Sequence, residues 1–149
     1  MRLSPLFESS EPSPTLRFIR PGLYLDGIFL VVYRHGGPVG CGGCRRLDDP
    51  DETVEIKKTY LASEARGSGL GRYLLRLLEE YALFLGGRRT VLETGIRNTA
   101  APGLFLSSGY TPTNSYVRGR DPSINRAFVK CLVDSSSHPT AGKARQPNA

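Results

Sequence analysis

The sequence predicts an α/β fold with a mixed, largely antiparallel twisted sheet flanked by helices. Runs of β-branched and aromatic residues alternate with turn residues in the first half of the chain, which is typical of an antiparallel meander. A long amphipathic pattern follows and then alternates with further strand-like runs, which is typical of a sheet with helical crossovers. The 149 residues are enough for one domain with a real core.

Three strands are predicted in the first half of the chain. The run 27–34 is apolar and β-branched, and the turn His35-Gly36-Gly37-Pro38 leads into a second strand over 39–47. After a turn at 47–51, the run 53–61 forms a third strand. Because short turns join these strands, we expect an antiparallel meander.

A long helix is predicted from Leu70, because apolar residues recur there at steps of three and four. Gly86-Gly87 is its expected end. Pro102 fits the first turn of a second helix, where backbone N–H groups lack helical partners. The elements predicted after the long helix are a strand over 90–96, the short helix over 99–108, and strands over 110–117 and 124–133.

Both ends of the chain are rich in Pro, Ser and charged residues, with few apolar anchors. We therefore expect a flexible N-terminal segment over 1–15, one domain over 16–133 and a disordered tail over 134–149. Hydrophobic residues make up 39% and charged residues 23%, as in soluble globular proteins. No window approaches the ~20 apolar residues of a membrane span, and no secretory signal is visible, so the expected location is cytoplasmic.

The net charge of +6 favours an anionic partner. Nucleic acid is an unlikely one, because no basic stretch is interleaved with aromatic residues. Three cysteines suggest a reducing compartment. Cys41 and Cys44 have the spacing of a metal knuckle, but a structural zinc site needs further ligands that the chain hardly offers, so we expect no metal.

The turn Arg66-Gly67-Ser68-Gly69-Leu70-Gly71 joins the third predicted strand to the long helix. Such a junction offers unpaired backbone N–H groups and the positive end of the helix dipole, and its glycines let a pyrophosphate approach. Ser68 is predicted to be the N-cap. No acidic residue occupies the first helical turn, and Arg66 and Arg72 flank it, which suits a bound anion. The turn does not fit a Rossmann or a Walker pattern.

At these residues the chain resembles the GNAT superfamily of N-acetyltransferases. The family's cofactor loop begins with Arg or Gln and has glycines at set spacings, matched here by Arg66, Gly69 and Gly71. A second family motif, Asn-x-x-Ala-x-x-Leu-Tyr-x-x-x-Gly-Phe, is matched with every spacing kept by Asn98, Ala101, Leu104, Phe105, Gly109 and Tyr110. The resemblance spans roughly 27–133 and implies a GNAT-like sheet with shortened N-terminal elements.

The resemblance implies that the protein binds acetyl-CoA as a co-substrate and transfers its acetyl group to a primary amine by direct attack, without a metal. In the family, the strand before the loop bulges, and its backbone pairs with the pantetheine arm and polarises the thioester carbonyl. The residues implied to bind the co-substrate are Tyr60, Leu61, Arg66, Gly67, Ser68, Gly69, Leu70, Gly71, Arg72, Asn98, Ala101 and Phe105.

Glu55 is the candidate general base, acting through water, because burial in a strand would raise its pKa toward neutrality. The alternative is an exposed strand glutamate that balances Lys57 or Lys58. Phe105 stands where the family has a tyrosine that protonates the thiolate. The acid is then Tyr110, Tyr116 or water, and simple packing is the alternative for both tyrosines.

The acceptor is a small-molecule or peptide amine. Homodimerisation is common in the family and would cover an open sheet edge. Two other functions stay open: a catalytically degenerate domain that binds acyl-CoA as a regulator, and, less favoured, a basic RNA-associated module.

Overall fold

The computed structural model describes residues 15–19, 27–117 and 119–133. They form one sheet in the order β1-β2-β3-β4-β5-β7-β6, in which only β4 and β5 run parallel. The strands are β1 (Thr15–Ile19), β2 (Gly27–Arg34), β3 (Gly37–Arg46), β4 (Thr53–Leu61), β5 (Arg89–Gly95), β6 (Thr111–Thr113) and β7 (Asn125–Cys131), and the helices are α1 (Leu70–Phe84) and α2 (Ala101–Ser107). The predicted mixed, largely antiparallel α/β sheet is confirmed.

Two strands differ from the prediction: one was not predicted, and another is shorter than predicted. β1 was not predicted, and it pairs antiparallel with β2 from Thr15 to Ile19. Five residues carry too weak a pattern on their own, and the pairing with β2 decides their conformation. The strand predicted over 110–117 is wrong in length, because β6 ends at Thr113 and the chain then turns across the sheet. Apart from Thr15, the predicted terminal segments 1–15 and 134–149 lie outside the described residues.

Helix α1 covers one face of the sheet, and its predicted start at Leu70 and its end before Gly86 are confirmed. Gly86 adopts φ +84°, the left-handed conformation that ends many helices. Most of the apolar side of α1 is buried, although Phe84 is 83% exposed at its end, and each buried leucine contributes roughly 1.5–3 kcal/mol through removal from water. Within the described residues, neither helix is long and apolar enough to cross a membrane. The buried leucines and alanine of α1 are Leu70, Leu74, Leu75, Leu77, Leu78 and Ala82.

Strand β3 is glycine-rich because α1 and the end of β4 approach it closely. A Cβ at Gly40 would lie 2.8 Å from Leu61 Cδ2, and one at Gly42 would lie 2.8 Å from Leu78 Cδ1. A larger residue at Gly42 would push α1 away from the sheet, and one at Gly40 would displace the end of β4. The run Cys41-Gly42-Gly43-Cys44 is therefore explained by packing.

Strand β4 carries a β-bulge opposite Gly42. Cys41 pairs with Tyr60 and Gly43 pairs with Lys57, so that two residues of β4 face one residue of β3. One of these two, Lys58, adopts φ +55°. The bulge implied by the family resemblance is present in this strand.

The sheet opens just before the bulge. The parallel pairing of β4 with β5 ends at Ile56 and Leu92, although β4 continues beside β3 to Leu61 and β5 continues beside β7 to Gly95. The two central strands therefore diverge over their C-terminal halves. This leaves one side of the β4 backbone without a neighbouring strand beyond Ile56.

Replacement of Gly42 by alanine tests the close approach of α1. The added Cβ would also lie 3.1 Å from Thr59 Cγ2, so we expect Gly42→Ala to lower the free energy of unfolding by about 1–3 kcal/mol. In the matched control Gly37→Ala on the same strand, the Cβ would lie 3.8 Å from Arg34 O, and the effect should stay within about 0.5 kcal/mol. Urea denaturation measures both, and equal effects would contradict the packing argument.

Candidate functional site

The glycine turn between β4 and α1 has the shape of an open anion site. Gly67 and Gly69 adopt φ +74° and +81°, a conformation that side chains disfavour. A Cβ at either position would meet nothing within 4 Å, so the outer side of the turn is open. A large anion can therefore reach the backbone here.

The start of α1 lacks internal partners for its N–H groups. The first helical backbone bond runs from Tyr73 N to Gly69 O at 3.1 Å, so the N–H groups of residues 70–72 have no acceptor within the helix. No acidic side chain lies in the first turn. Unpaired N–H groups together with the helix dipole favour a bound anion, and a phosphate group is a typical ligand.

The predicted N-cap at Ser68 is wrong. Gly69 occupies the cap position without any side-chain hydrogen bond, and Ser68 Oγ donates backwards to Ala65 O at 2.6 Å. The serine hydroxyl thus stabilises the turn before the helix. Because no side chain caps the helix, its N–H groups stay available to a ligand.

The two arginines that flank the turn each donate a hydrogen bond to a neighbouring residue. Arg66 Nε donates to Leu61 O at 3.2 Å, and Arg72 Nη2 donates to Ser107 Oγ on α2 at 3.0 Å. Gly71 has a packing role, because its Cβ would lie 3.0 Å from Leu61 Cδ1 and 3.2 Å from a methyl group of Leu104. The third glycine of the motif therefore lets α1 pack against β4 and α2.

The residues implied to contact the pantetheine arm lie around the opening between β4 and β5. Tyr60 is 59% exposed at the end of β4, and Leu61 is half-buried beside it. Asn98 follows β5, and its Oδ1 accepts a hydrogen bond from Ala101 N at 3.1 Å, which fixes the start of α2. Ala101 is half-buried against the core, whereas Asn98 is exposed.

Phe105 and Tyr110 lie in the core, which corrects the prediction for Tyr110. Phe105 is 6% exposed, and its ring centroid lies 5.4 Å from that of Phe128, so most of its ring packs inside the protein. Tyr110 is 2% exposed, and its hydroxyl is bonded to Thr90 Oγ1 at 2.9 Å. Burial raises the pKa of Tyr110 far above its ordinary value, and no reacting group can reach its hydroxyl, so it is not the acid.

Glu55 lies on the face of the sheet opposite α1, since its neighbours Val54 and Ile56 belong to the core under the helix. It is 1% exposed. Arg45 Nε donates to its Oε2 at 2.8 Å, Tyr116 Oη donates to its Oε1 at 3.0 Å, and Lys57 Nζ lies 3.4 Å from Oε2. The expected burial is correct, and the alternative of an exposed glutamate is wrong, although Lys57 is one of the partners.

The predicted direction of the Glu55 pKa is wrong. Burial by itself raises the pKa, but the hydrogen bonds from Arg45 and Tyr116 and the charge of Lys57 outweigh it and hold the pKa below its ordinary value. Tyr116 responds in the opposite direction, because burial and the neighbouring carboxylate of Glu55 raise its pKa. At neutral pH the pair is therefore an ionised carboxylate and a neutral phenol.

A second buried carboxylate, Glu93 on β5, lies on the same face and was not predicted. Its side chain is 3% exposed, and it accepts hydrogen bonds from Ser115 Oγ at 2.6 Å and from Arg120 Nη1. Strand alternation beside the core residue Leu92 could have placed Glu93 on this face, but no sequence signal identified its partners in the β6–β7 connection. We call Glu55, Glu93, Arg45, Lys57, Ser115, Tyr116 and Arg120 the charged cluster.

The cysteine pair has no metal-site geometry. Cys41 and Cys44 are free thiols on β3, the first half-buried and the second buried. Burial raises the pKa of Cys44 to about 11, which keeps its thiol protonated at neutral pH. The described part of the chain contains no group of three or more His, Cys, Asp or Glu residues placed to hold a metal ion.

Comparison with known proteins identifies the family. The model of the acetyltransferase (GNAT) family matches residues 2–110. The chain belongs to the GNAT acetyltransferase family. Members of this family use acetyl-CoA.

Two curated relatives illustrate how this member of the GNAT family compares with others. It is 35% identical over 89 residues to a Xenopus tropicalis protein named "Probable N-acetyltransferase 14", covering 60% of this chain and 43% of the relative. It is 34% identical over 97 residues to an Azospirillum brasilense protein named "IAA acetyltransferase", covering 63% and 61%. The chain thus spans about half the length of these curated relatives.

A solved structure from Klebsiella pneumoniae, described as a candidate acyl-CoA N-acyltransferase, superposes with a TM-score of 0.72 at 26% identity. The match covers 80% of this chain and 98% of the other. The sheet and helices of this chain therefore have a fold similar to that of this candidate acyl-CoA N-acyltransferase.

The lowered pKa of Glu55 predicts how its replacement changes stability with pH. Its carboxylate stabilises the fold above its ordinary pKa of 4.5, and this contribution is lost as pH falls through the lower folded value. Glu55→Gln should therefore lower the free energy of unfolding by about 1–3 kcal/mol at neutral pH, with the difference shrinking below about pH 4.

Urea denaturation at several pH values measures this difference. Glu64→Gln is the control, because Glu64 is exposed and, among the described residues, its carboxylate accepts a bond only from Ser63. If Glu55→Gln were more stable than the wild type at neutral pH, the pKa would have to be raised and the assignment would be wrong.

Proposed function

We propose that the protein is an N-acetyltransferase that transfers the acetyl group of acetyl-CoA to a primary amine. The observation that carries this proposal is the row of unpaired N–H groups in the open glycine turn between a bulged β4 and α1. Membership of a family that uses acetyl-CoA supports it.

The residues present fit the co-substrate along its length. The N–H groups of residues 67–72 bind the pyrophosphate, and Arg66 and Arg72 fix the turn that presents them. The β4 backbone near Tyr60 and Leu61 binds the pantetheine arm, because β5 has diverged from it there. Asn98 contributes the amide nitrogen that its bond to Ala101 leaves unused. The bound co-substrate supplies an activated acetyl group.

Glu55 and Tyr116 together carry out the proton transfers of the reaction. Ionised Glu55 accepts through water the proton whose loss converts the ammonium to the attacking amine, since its own oxygens are covered by Arg45, Lys57 and Tyr116. The second proton, lost from nitrogen as the amide forms, goes to solvent water. Neutralisation of Glu55 removes the charge that raises the pKa of Tyr116, so Tyr116 becomes a better acid. Tyr116 then donates its proton toward the leaving thiolate and recovers one from Glu55 across their 3.0 Å hydrogen bond.

A second candidate function is an acyl-CoA-binding domain without turnover. Two observations favour it: Phe105 replaces the family's usual acid and lies in the core, and Glu55 is 1% exposed with partners on both oxygens. It predicts acetyl-CoA binding without acetylated product. Measurement of turnover separates the two functions.

A charge at position 68 tests the anion site. Ser68→Asp removes the hydroxyl that donates to Ala65 O and places a carboxylate beside the open turn, and this charge should repel the pyrophosphate. We expect acetyl-CoA to bind the variant at least ~10-fold more weakly by calorimetry, which equals about 1.4 kcal/mol. Ser68→Asn is the neutral control of the same shape. Equal affinities for the two variants would overturn the assignment of the anion site to this turn. The absence of any stabilisation of the wild type by acetyl-CoA would overturn it too, since about 2.7 kcal/mol is expected at a hundredfold excess over Kd.

Turnover on a panel of amines, followed by the release of free thiol, tests the proton pair. Loss of a general base typically costs about 10²–10⁴-fold, so Glu55→Gln should lower kcat/KM by that order. Tyr116→Phe should cost less, about 10-fold, because water can protonate a thiolate. Glu80→Gln, exposed on α1, serves as the control. Unchanged turnover in Glu55→Gln would remove Glu55 from the mechanism, and absent wild-type turnover despite tight acetyl-CoA binding would establish the regulatory function.

A further inference from the structure

In the charged cluster the cationic side chains are partly exposed to solvent, whereas the carboxylates are buried. The side chains of Glu55 and Glu93 are 2% and 3% exposed, whereas those of Arg45, Lys57 and Arg120 are 46%, 35% and 37% exposed. Three cations face two carboxylates, so the described cluster carries a net charge of +1. A molecule that approaches this face therefore meets positive charge first.

The cluster has more donors than its carboxylates need. Arg45 and Tyr116 already provide a hydrogen bond to each oxygen of Glu55, and Lys57 lies farther away at 3.4 Å. Arg45 uses its Nε for that bond, and a guanidinium has four further N–H donors. If the cluster served only to neutralise Glu55, one cation would be enough. The donors left over on Arg45 and Lys57 are placed for an anion that comes from outside.

These two cations also lie close to the proposed reaction. Arg45 is directly opposite Glu55 in the β3–β4 register, and Lys57 is two residues along β4 on the same face, just before the bulge. A group bound between them is near the carboxylate that takes the proton of the amine. A small acceptor can therefore contact both parts of the site at once.

We infer that the amine acceptor also carries an anionic oxygen group, a carboxylate or a phosphate, and that Arg45 and Lys57 bind this group beside Glu55. The inference rests on the proposed acetyltransferase function and narrows its acceptor class. Guanidinium and ammonium groups bind such oxygens through charge-assisted hydrogen bonds. Polyamines and other polycations are repelled by the same surface and are poor acceptors.

Matched acceptors test the inference. Aminobutyrate and its amide, aminobutyramide, have the same chain and amine but differ in the anionic group, and aminopropylphosphonate replaces the carboxylate by a phosphonate. We expect kcat/KM for the preferred anionic acceptor to exceed that for the amide by about tenfold or more, with spermidine below both. The better of the two anionic compounds identifies whether the site takes a carboxylate or a phosphate-like group.

Variants of Arg45 and Lys57 test whether these residues cause the preference for anionic acceptors. Arg45→Gln and Lys57→Gln should each reduce the ratio between anionic and amide acceptors toward one, whatever they do to the overall rate. Arg88→Gln should leave the ratio unchanged, because Arg88 has a similar exposure of 41% and its ion pair is with Glu52, outside the cluster. Calorimetry of the acetylated products in the presence of CoA gives a readout that does not depend on turnover, and the acetylated anionic product should bind more tightly than the acetylated amide.

The possible outcomes separate the inference from the proposed function. Acetylation of the amide or of spermidine as fast as the anionic acceptors would overturn the inference and leave the acetyltransferase function standing. A preference that survives both Arg45→Gln and Lys57→Gln would overturn the assignment to these residues. Absence of acetylated product from every amine, with acetyl-CoA still bound, would instead reject the proposed function.

Discussion

The parting of β4 from β5 is the constraint on which the site depends. Parallel pairing holds the two strands together only from Thr53 to Ile56, and the bulge at Lys58 follows on β4. One side of the β4 backbone is then left without a strand beside it, and an extended ligand can pair there much as a strand would. The glycine turn follows at the end of the same strand, so the opening and the anion site are parts of one feature.

Helix α1 holds this arrangement in place through close packing. The glycines of β3 let the helix come near the sheet, and Gly71 lets its first turn contact Leu61 and Leu104. The position of the unpaired N–H groups is therefore set by the core and not by the turn alone. A helix start without a side-chain cap or an acidic residue lacks the usual stabilising groups, and a bound anion would supply the missing interaction.

The two faces of the sheet carry different chemistry. The face under α1 is apolar and holds Phe105 and Tyr110, which explains why two residues of a family motif serve the core. The opposite face holds the charged cluster, where a buried carboxylate on each diverging strand is neutralised from the β6–β7 connection and from β3. Buried charges are stable only when paired and hydrogen-bonded, so this cluster fixes the connection that would border an acceptor.

The sequence by itself determined the elements whose signals are local. The strands 27–34 and 53–61, the helix from Leu70 and the glycine turn followed from periodicity and turn residues, and two spaced motifs identified the family. Tertiary structure alone decided what depends on partners distant in the chain. β1 is stabilised by its pairing with β2, and the Ser68 hydroxyl donates to Ala65 O instead of capping α1. The pKa of Glu55 is lowered because Arg45 and Tyr116 donate hydrogen bonds to it from other elements. Burial of a carboxylate can be predicted from strand alternation, but the direction of its pKa depends on hydrogen-bond donors that only the folded chain brings together.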